Sequence, residues 1–249
     1  MVVAMMAMLL MTALGVALVL TTSSETIIAG NYRNSGEAMY AADAVLERAI
    51  DDLLTVPDWN PLLSGSVQSA FIDGAPSGVR TLPDGSTIDL TQTRNMANCQ
   101  KVTACSTAEM DAITTERPWG PNNPRWQLYA YGKMSDLMST GSVDSSYYVI
   151  LMVADDPAET DGNPLQDGAS QSNPGAGILV MRSEAFGPRG VHRVIEMTVV
   201  RTDTTELERG FTGQSGQDEQ NRRARRAAVQ TPGKTLTMQT LDLNLGGIH

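Results

Sequence analysis

The pattern of apolar and polar positions divides this chain near its start. From Met1 to Leu20 there is no charged residue, and Thr12 is the only polar side chain. Twenty helical residues at about 1.5 Å each cover about 30 Å, the hydrocarbon thickness of a bilayer. A polar run, Thr21 to Glu25, follows, and then a helical pattern resumes with one narrow apolar stripe. Ala38, Ala41, Ala42, Val45, Ala49 and Leu53 recur at spacings of three and four, which puts them on one face for packing against a sheet. The opposite face is charged, with Arg33 four residues before Glu37 and Arg48 four before Asp52. Pro57 and the turn-rich Asp58-Trp59-Asn60-Pro61 end the helix. Residues 1–24 therefore read as a transmembrane half, 25–56 as an amphipathic half and 57–249 as a globular domain. A continuous rod of this length measures about 80 Å, and Gly15 and Thr21–Ser24 are its weakest points, where any kink or melted turn is expected. A cleaved signal is disfavoured because the apolar run is long and a basic start is missing. A plain signal anchor has the same appearance, whereas twenty apolar residues exceed what one soluble core usually covers.

Beyond Pro57 the pattern is broken. Residues 57–124 are rich in turn signals, with short strand candidates at Phe71-Ile72, Val79–Leu82 and Ser86–Leu90 and a helical turn around Thr107–Thr115. From Trp126 the chain alternates as a sheet does. Trp126, Leu128 and Ala130, with Tyr129 and Tyr131, form one strand, and Tyr147–Val153 is apolar on both faces, as in a central strand. Gly177–Ala185 and Val191–Arg201 flank Gly187-Pro188-Arg189-Gly190, a β-hairpin signal. In its second arm Val191, Ile195, Met197 and Val199 share one face, with Arg193 and Arg201 as exceptions. A last strand is expected between Lys234 and Leu243, and polar insertions near 155–174 and 204–233 interrupt the sheet.

Charge and composition narrow the chemistry. A net charge of -10 over 249 residues argues against nucleic-acid or anionic-lipid binding by the domain as a whole. Cys99 and Cys105 are the only cysteines, and in an outward-facing domain so close a pair is most simply a disulfide; two free thiols or half a metal site are the alternatives. The loop Asp155–Asp167, with Asp156, Glu159 and Asp161, offers hard oxygen ligands for calcium but lacks the EF-hand order, so a solvated loop competes with a site. Arg222, Arg223, Arg225 and Arg226 suit an acidic partner surface or a solvated excursion, and no aromatics stand nearby for nucleic-acid stacking. His192 falls in a strand and His249 ends the sequence; no catalytic arrangement, phosphate loop or cofactor fingerprint is present, so no enzyme is expected.

Glu25, Ile28, Ala29, Gly30, Asn31, Arg33, Ala38, Ala41, Ala42, Asp43 and Ala44 give the opening a more specific character. The first fifty or so residues resemble the PilX-type minor pilins of type IV pili. In that family an apolar helix with Thr-x-x-Gly, here Thr12 to Gly15, leads to Glu-x-x-x-Ala-Gly-Asn-x-Arg and then Ala-x-x-Ala-Ala-Glu-Ala, with Asp43 here in the glutamate position. The resemblance implies an α+β, pilin-like fold in which a long N-terminal transmembrane and amphipathic helix packs on an antiparallel β-sheet. It implies an inner-membrane protein with an extracytoplasmic domain, later part of an extracellular pilus, whose partners are other pilin subunits in a helical filament. Met5, Met8, Thr12, Gly15 and Glu25 would pack in membrane and filament; neither a cofactor, a small-molecule substrate nor a nucleic acid is expected. Pilin precursors carry a short basic leader ending in glycine; none is seen here, so the sequence reads as starting late or already processed. The early positions also lack the glutamate of major pilins, which favours a minor subunit and leaves a type II secretion pseudopilin as the alternative. A signal-anchored binding or enzymatic ectodomain is the alternative of another class.

Overall fold

A computed structural model describes residues 1–113, 119–137, 144–157, 162–167, 177–202 and 234–237. Helix α1, Val2–Leu54, is a single uninterrupted α-helix of 53 residues. No turn is melted at Gly15 or Thr21–Ser24. The hydroxyls of Thr12, Thr21, Thr22, Ser24 and Thr26 each donate to a carbonyl three or four residues earlier, so the polar run is satisfied inside the helix instead of competing with it. Thr55 caps the other end, its hydroxyl and N–H donating to the Asp52 carbonyl.

The main sheet has five strands in the order β3 (Gln127–Lys133), β4 (Tyr148–Asp155), β5 (Ile178–Gly187), β6 (Val191–Thr202) and β7 (Lys234–Thr237). The first four pair antiparallel; β7 joins β6 in parallel, which requires a long connection and has one in residues 203–233. The expected last strand, Lys234–Leu243, is seen as β7, and the rest of that range lies outside the described residues. In the β5–β6 turn Gly190 takes φ +75°, and Arg189 also has a left-handed backbone.

All eight residues of β4 are buried because both faces of the sheet are covered. On one face lies α1, whose Ala38, Ala41, Ala42, Val45, Leu46, Ala49, Ile50 and Leu53 pack on Val149, Leu151, Val153, Leu179, Met181, Ala185 and Val199. Small alanines allow close approach, and the Ser183 hydroxyl donates to the Ala42 carbonyl at 2.8 Å. The second core, on the other face, joins Leu82, Leu90, Trp126, Leu128, Tyr131, Tyr148, Ile150, Met152 and Ala154. A β-bulge between Leu128 and Ala130 lets Tyr129 and Ala130 both join the α1-side core.

The region 57–124 is more helical than its turn signals indicate. It holds α2 (Asn60–Leu63), a hairpin of β1 (Val79–Thr81) and β2 (Thr87–Asp89), α3 (Leu90–Cys99) and α4 (Thr107–Asp111). The run Ser86–Leu90 is thus split: Asp89 ends β2 and caps α3 by accepting from the Thr91 and Gln92 N–H groups. Phe71-Ile72 is not a strand pair but a single bridge to Tyr131, and the backbone from Ser69 to Asp73 covers the outer edge of β3.

Candidate assembly surface

The first half of α1 packs against nothing among the described residues. Met5 and Met8 are 66 % and 70 % exposed, and Ala38 is the first buried residue along the helix. Gly15 has no atom near its missing side chain, Thr12 bonds only back to Leu9, and Glu25 is exposed. An apolar surface of this extent far exceeds the few hundred Å² that a soluble monomer leaves open. It needs lipid, or other helices, to cover it.

Besides the packed core and the Ser183 bond, three side chains, Tyr147, Arg193 and Arg201, fix the helix and the segment after it to the domain. The Tyr147 hydroxyl lies 3.0 Å from the Asn34 carbonyl and 3.2 Å from a Glu37 carboxylate oxygen. Burial, reinforced by the Glu37 charge, pushes its pKa up to about 12, so it stays a donor at physiological pH. Gly187 leaves the room that this ring occupies: a side-chain carbon there would stand 2.1 Å from it. Arg193 donates to the Ser35 hydroxyl, with Nε at 2.8 Å. At the far end Arg201 donates to the Val56 and Pro57 carbonyls and covers the buried Trp59 ring at 4.2 Å. Of the two arginines that break the apolar face of β6, Arg193 therefore tethers the helix and Arg201 the segment just after it, roles that strand periodicity does not reveal.

Cys99 and Cys105 form a disulfide that joins the end of α3 to the segment leading into α4. On the outer sheet face Arg182 pairs with Glu184 at 2.7 Å and Glu196 at 2.6 Å. His192 stacks on Phe186 and bonds Glu184 at 2.8 Å, a carboxylate partner and not a hydroxyl or thiol. Burial raises the pKa of Glu184, but the His192 hydrogen bond and the Arg182 charge outweigh it and hold the carboxyl below its ordinary 4.5. A depressed folded-state pKa stabilises above the unfolded value, and that contribution disappears as pH falls through the folded value. Melting curves taken between about pH 5 and pH 3 should therefore fall more steeply for the native chain than for Glu184→Gln. Equal slopes would show that the pair contributes nothing.

Asp155 and Asp156 are buried, and Asp167 accepts from the Gly177 N–H at 2.6 Å. Glu159, Asp161, Arg222, Arg223, Arg225, Arg226 and His249 lie outside the described residues. Among the described residues no three His, Cys, Asp or Glu side chains gather as metal ligands would.

Compared with known families, residues 1–47 match the model described as PilX N-terminal. Neither the curated proteins nor the solved structures contain a match to the chain.

Proposed function

From an opening of the PilX type, we propose that this chain is a minor pilin: a structural subunit held in the inner membrane by residues 1–24, then extracted and packed within or at the tip of a type IV pilus, where it supports assembly or adhesion. The carrying observation is the single helix Val2–Leu54, bare and apolar in its first half and built into the domain core in its second. Such a rod can leave lipid for a bundle of similar rods without exposing its apolar side chains to water. Helices in lipid associate by packing, not by a hydrophobic drive. Ala4, Ala7, Ala13, Gly15 and Ala17 permit close approach, and Met5, Met6, Met8 and Met11 supply adaptable surface. The partners are then other pilin subunits, and the domain is cargo carried outward.

A replacement of residues 1–24 by an unrelated membrane anchor tests this reading. The expected product is folded and membrane-bound but absent from filaments. Retention of the chain's biological activity with the foreign anchor would point instead to an ectodomain that merely needs tethering.

A further inference from the structure

The outer face of the sheet is covered unevenly. The second core spans β3 and β4 but thins at β5, where Val180 and Phe186 are only partly buried, and on β6 His192 and Val194 stand exposed. At this step a cleft of about 410 Å³ opens between α3 and the β5–β6 hairpin. Met96 and Ala97 of α3, with Ile113, line it from the helical layer. From the hairpin come the rings of Phe186 and His192, stacked 4.4 Å apart and 9° from parallel. Met96 is 46 % exposed there, so its thioether is open to a further contact. The volume suits a small group, since ligand sites run from about 300 to 1,000 Å³.

The charges lining the cleft are already matched. Arg182 donates through Nε to Glu184 and through Nη1 to Glu196, and Glu184 also bonds His192. An anion entering the cleft would approach those carboxylates, and a cation would approach the guanidinium between them. An uncharged guest avoids both. Arg182 nevertheless keeps Nη2 without an acceptor among the described residues, a donor for a guest's oxygen. We infer that this cleft binds an uncharged aromatic ring carrying an acceptor oxygen, a phenol of the tyrosine kind, with the ring against Phe186 and His192 and the oxygen at Arg182 Nη2. Rings pair favourably whether offset-stacked or edge to face, and a thioether beside a ring adds to the contact. The cleft and α1 lie on opposite faces of the sheet, so a bundle of rods on one side leaves the cleft open on the other. That outward placement rests on the filament reading; the chemistry of the cleft does not.

The full chain in lipid nanodiscs, with methyl-labelled methionine, can be titrated with N-acetyltyrosinamide while the Met96 methyl, identified by its loss in Met96→Leu, is followed by NMR. That resonance should move and saturate, with a Kd on the order of millimolar for so small a guest. Ring protons should also show nuclear Overhauser contacts to the same methyl in the unsubstituted chain. N-acetylphenylalaninamide, which lacks the oxygen, should bind about tenfold more weakly, the loss of one hydrogen bond to a charged group. Arg182→Lys, which keeps the charge but not the spare Nη2, should bind the two aromatic amides alike. Ala97→Phe fills the cleft and should abolish binding without changing the melting midpoint. A tyrosine within a capped pentapeptide that binds as well as the amide would support the site as one for a protein's side chain; binding of the amide alone would support it as one for a small molecule. A leucine amide that moves the methyl as far as the tyrosine amide, the absence of a saturable shift, or the absence of ring-to-methyl contacts would overturn the inference. Failure of the chain to enter filaments would leave these titrations unaltered, so the two readings fail separately.

Discussion

Leu10→Asp is expected to remove this protein from filaments and from carbonate-washed membranes while leaving the sheet domain folded. Leu10 sits at the middle of the uncharged run and is 63 % exposed, away from the described residues of the domain. Replacing leucine by aspartate at the centre of a spanning helix costs about 3–4 kcal/mol in apparent insertion energy, a shift of some hundredfold or more in partition. In a helical bundle the same carboxylate would be buried without a partner, which is strongly unfavourable. The folded domain has no way to sense the change, because α1 first enters the core at Ala38. Leu10→Ala, which keeps the position apolar, should insert and assemble normally. Fractionation into soluble, membrane and sheared-filament pools reads all three outcomes. Normal filament incorporation of the aspartate variant would show that the bare half is not what packs.

Trp59→Ala should produce the largest loss of stability among single changes in the domain. The indole is fully buried where α1 ends, packed in the core beneath the Arg201 guanidinium. Truncating a buried tryptophan to alanine costs about 3–5 kcal/mol, from lost burial and the cavity left behind. Arg201 loses its aromatic partner as well, an interaction worth about 1–2 kcal/mol when desolvated. For a domain of this size the midpoint of thermal unfolding should fall by roughly 10 °C. Trp59→Phe retains the ring face and should lose much less. A shift of only a degree or two for the alanine variant would mean that the lower end of α1 is not firmly joined to the sheet.

What the sequence reveals here follows the range over which each signal acts. The apolar run, the stripe from Ala38 to Leu53 and the Gly187–Gly190 turn are local patterns, and each corresponds to an element of the fold. Leu46 and Ile50 widen the stripe beyond the residues its spacing singles out, because the sheet beneath is broad enough to cover two adjoining rows. Helix α3 is hidden for the opposite reason. Its interior is polar, and two of its buried residues are asparagines; Asn98 closes on the Trp126 backbone, donating to its carbonyl and accepting from its N–H. That tether joins segments far apart in sequence and leaves no periodic trace. A start signal was nonetheless present at Asp89, as it was in the Ser106 and Glu109 capping box of α4. The tethers from Tyr147 and Arg193 to α1, and from Arg201 to the segment after it, are equally non-local, so the bare surface is legible in composition while the joint that presents it is not.

Sheared and purified pili, probed for peptides of this chain by quantitative mass spectrometry, give the most direct test of a rod that exchanges lipid for a filament. The chain should co-purify with the filaments, far below the main subunit in amount, and the version with a foreign anchor in place of residues 1–24 should be missing from them. Abundant pili from which the native chain is absent, with all of it retained in the membrane, would contradict the account.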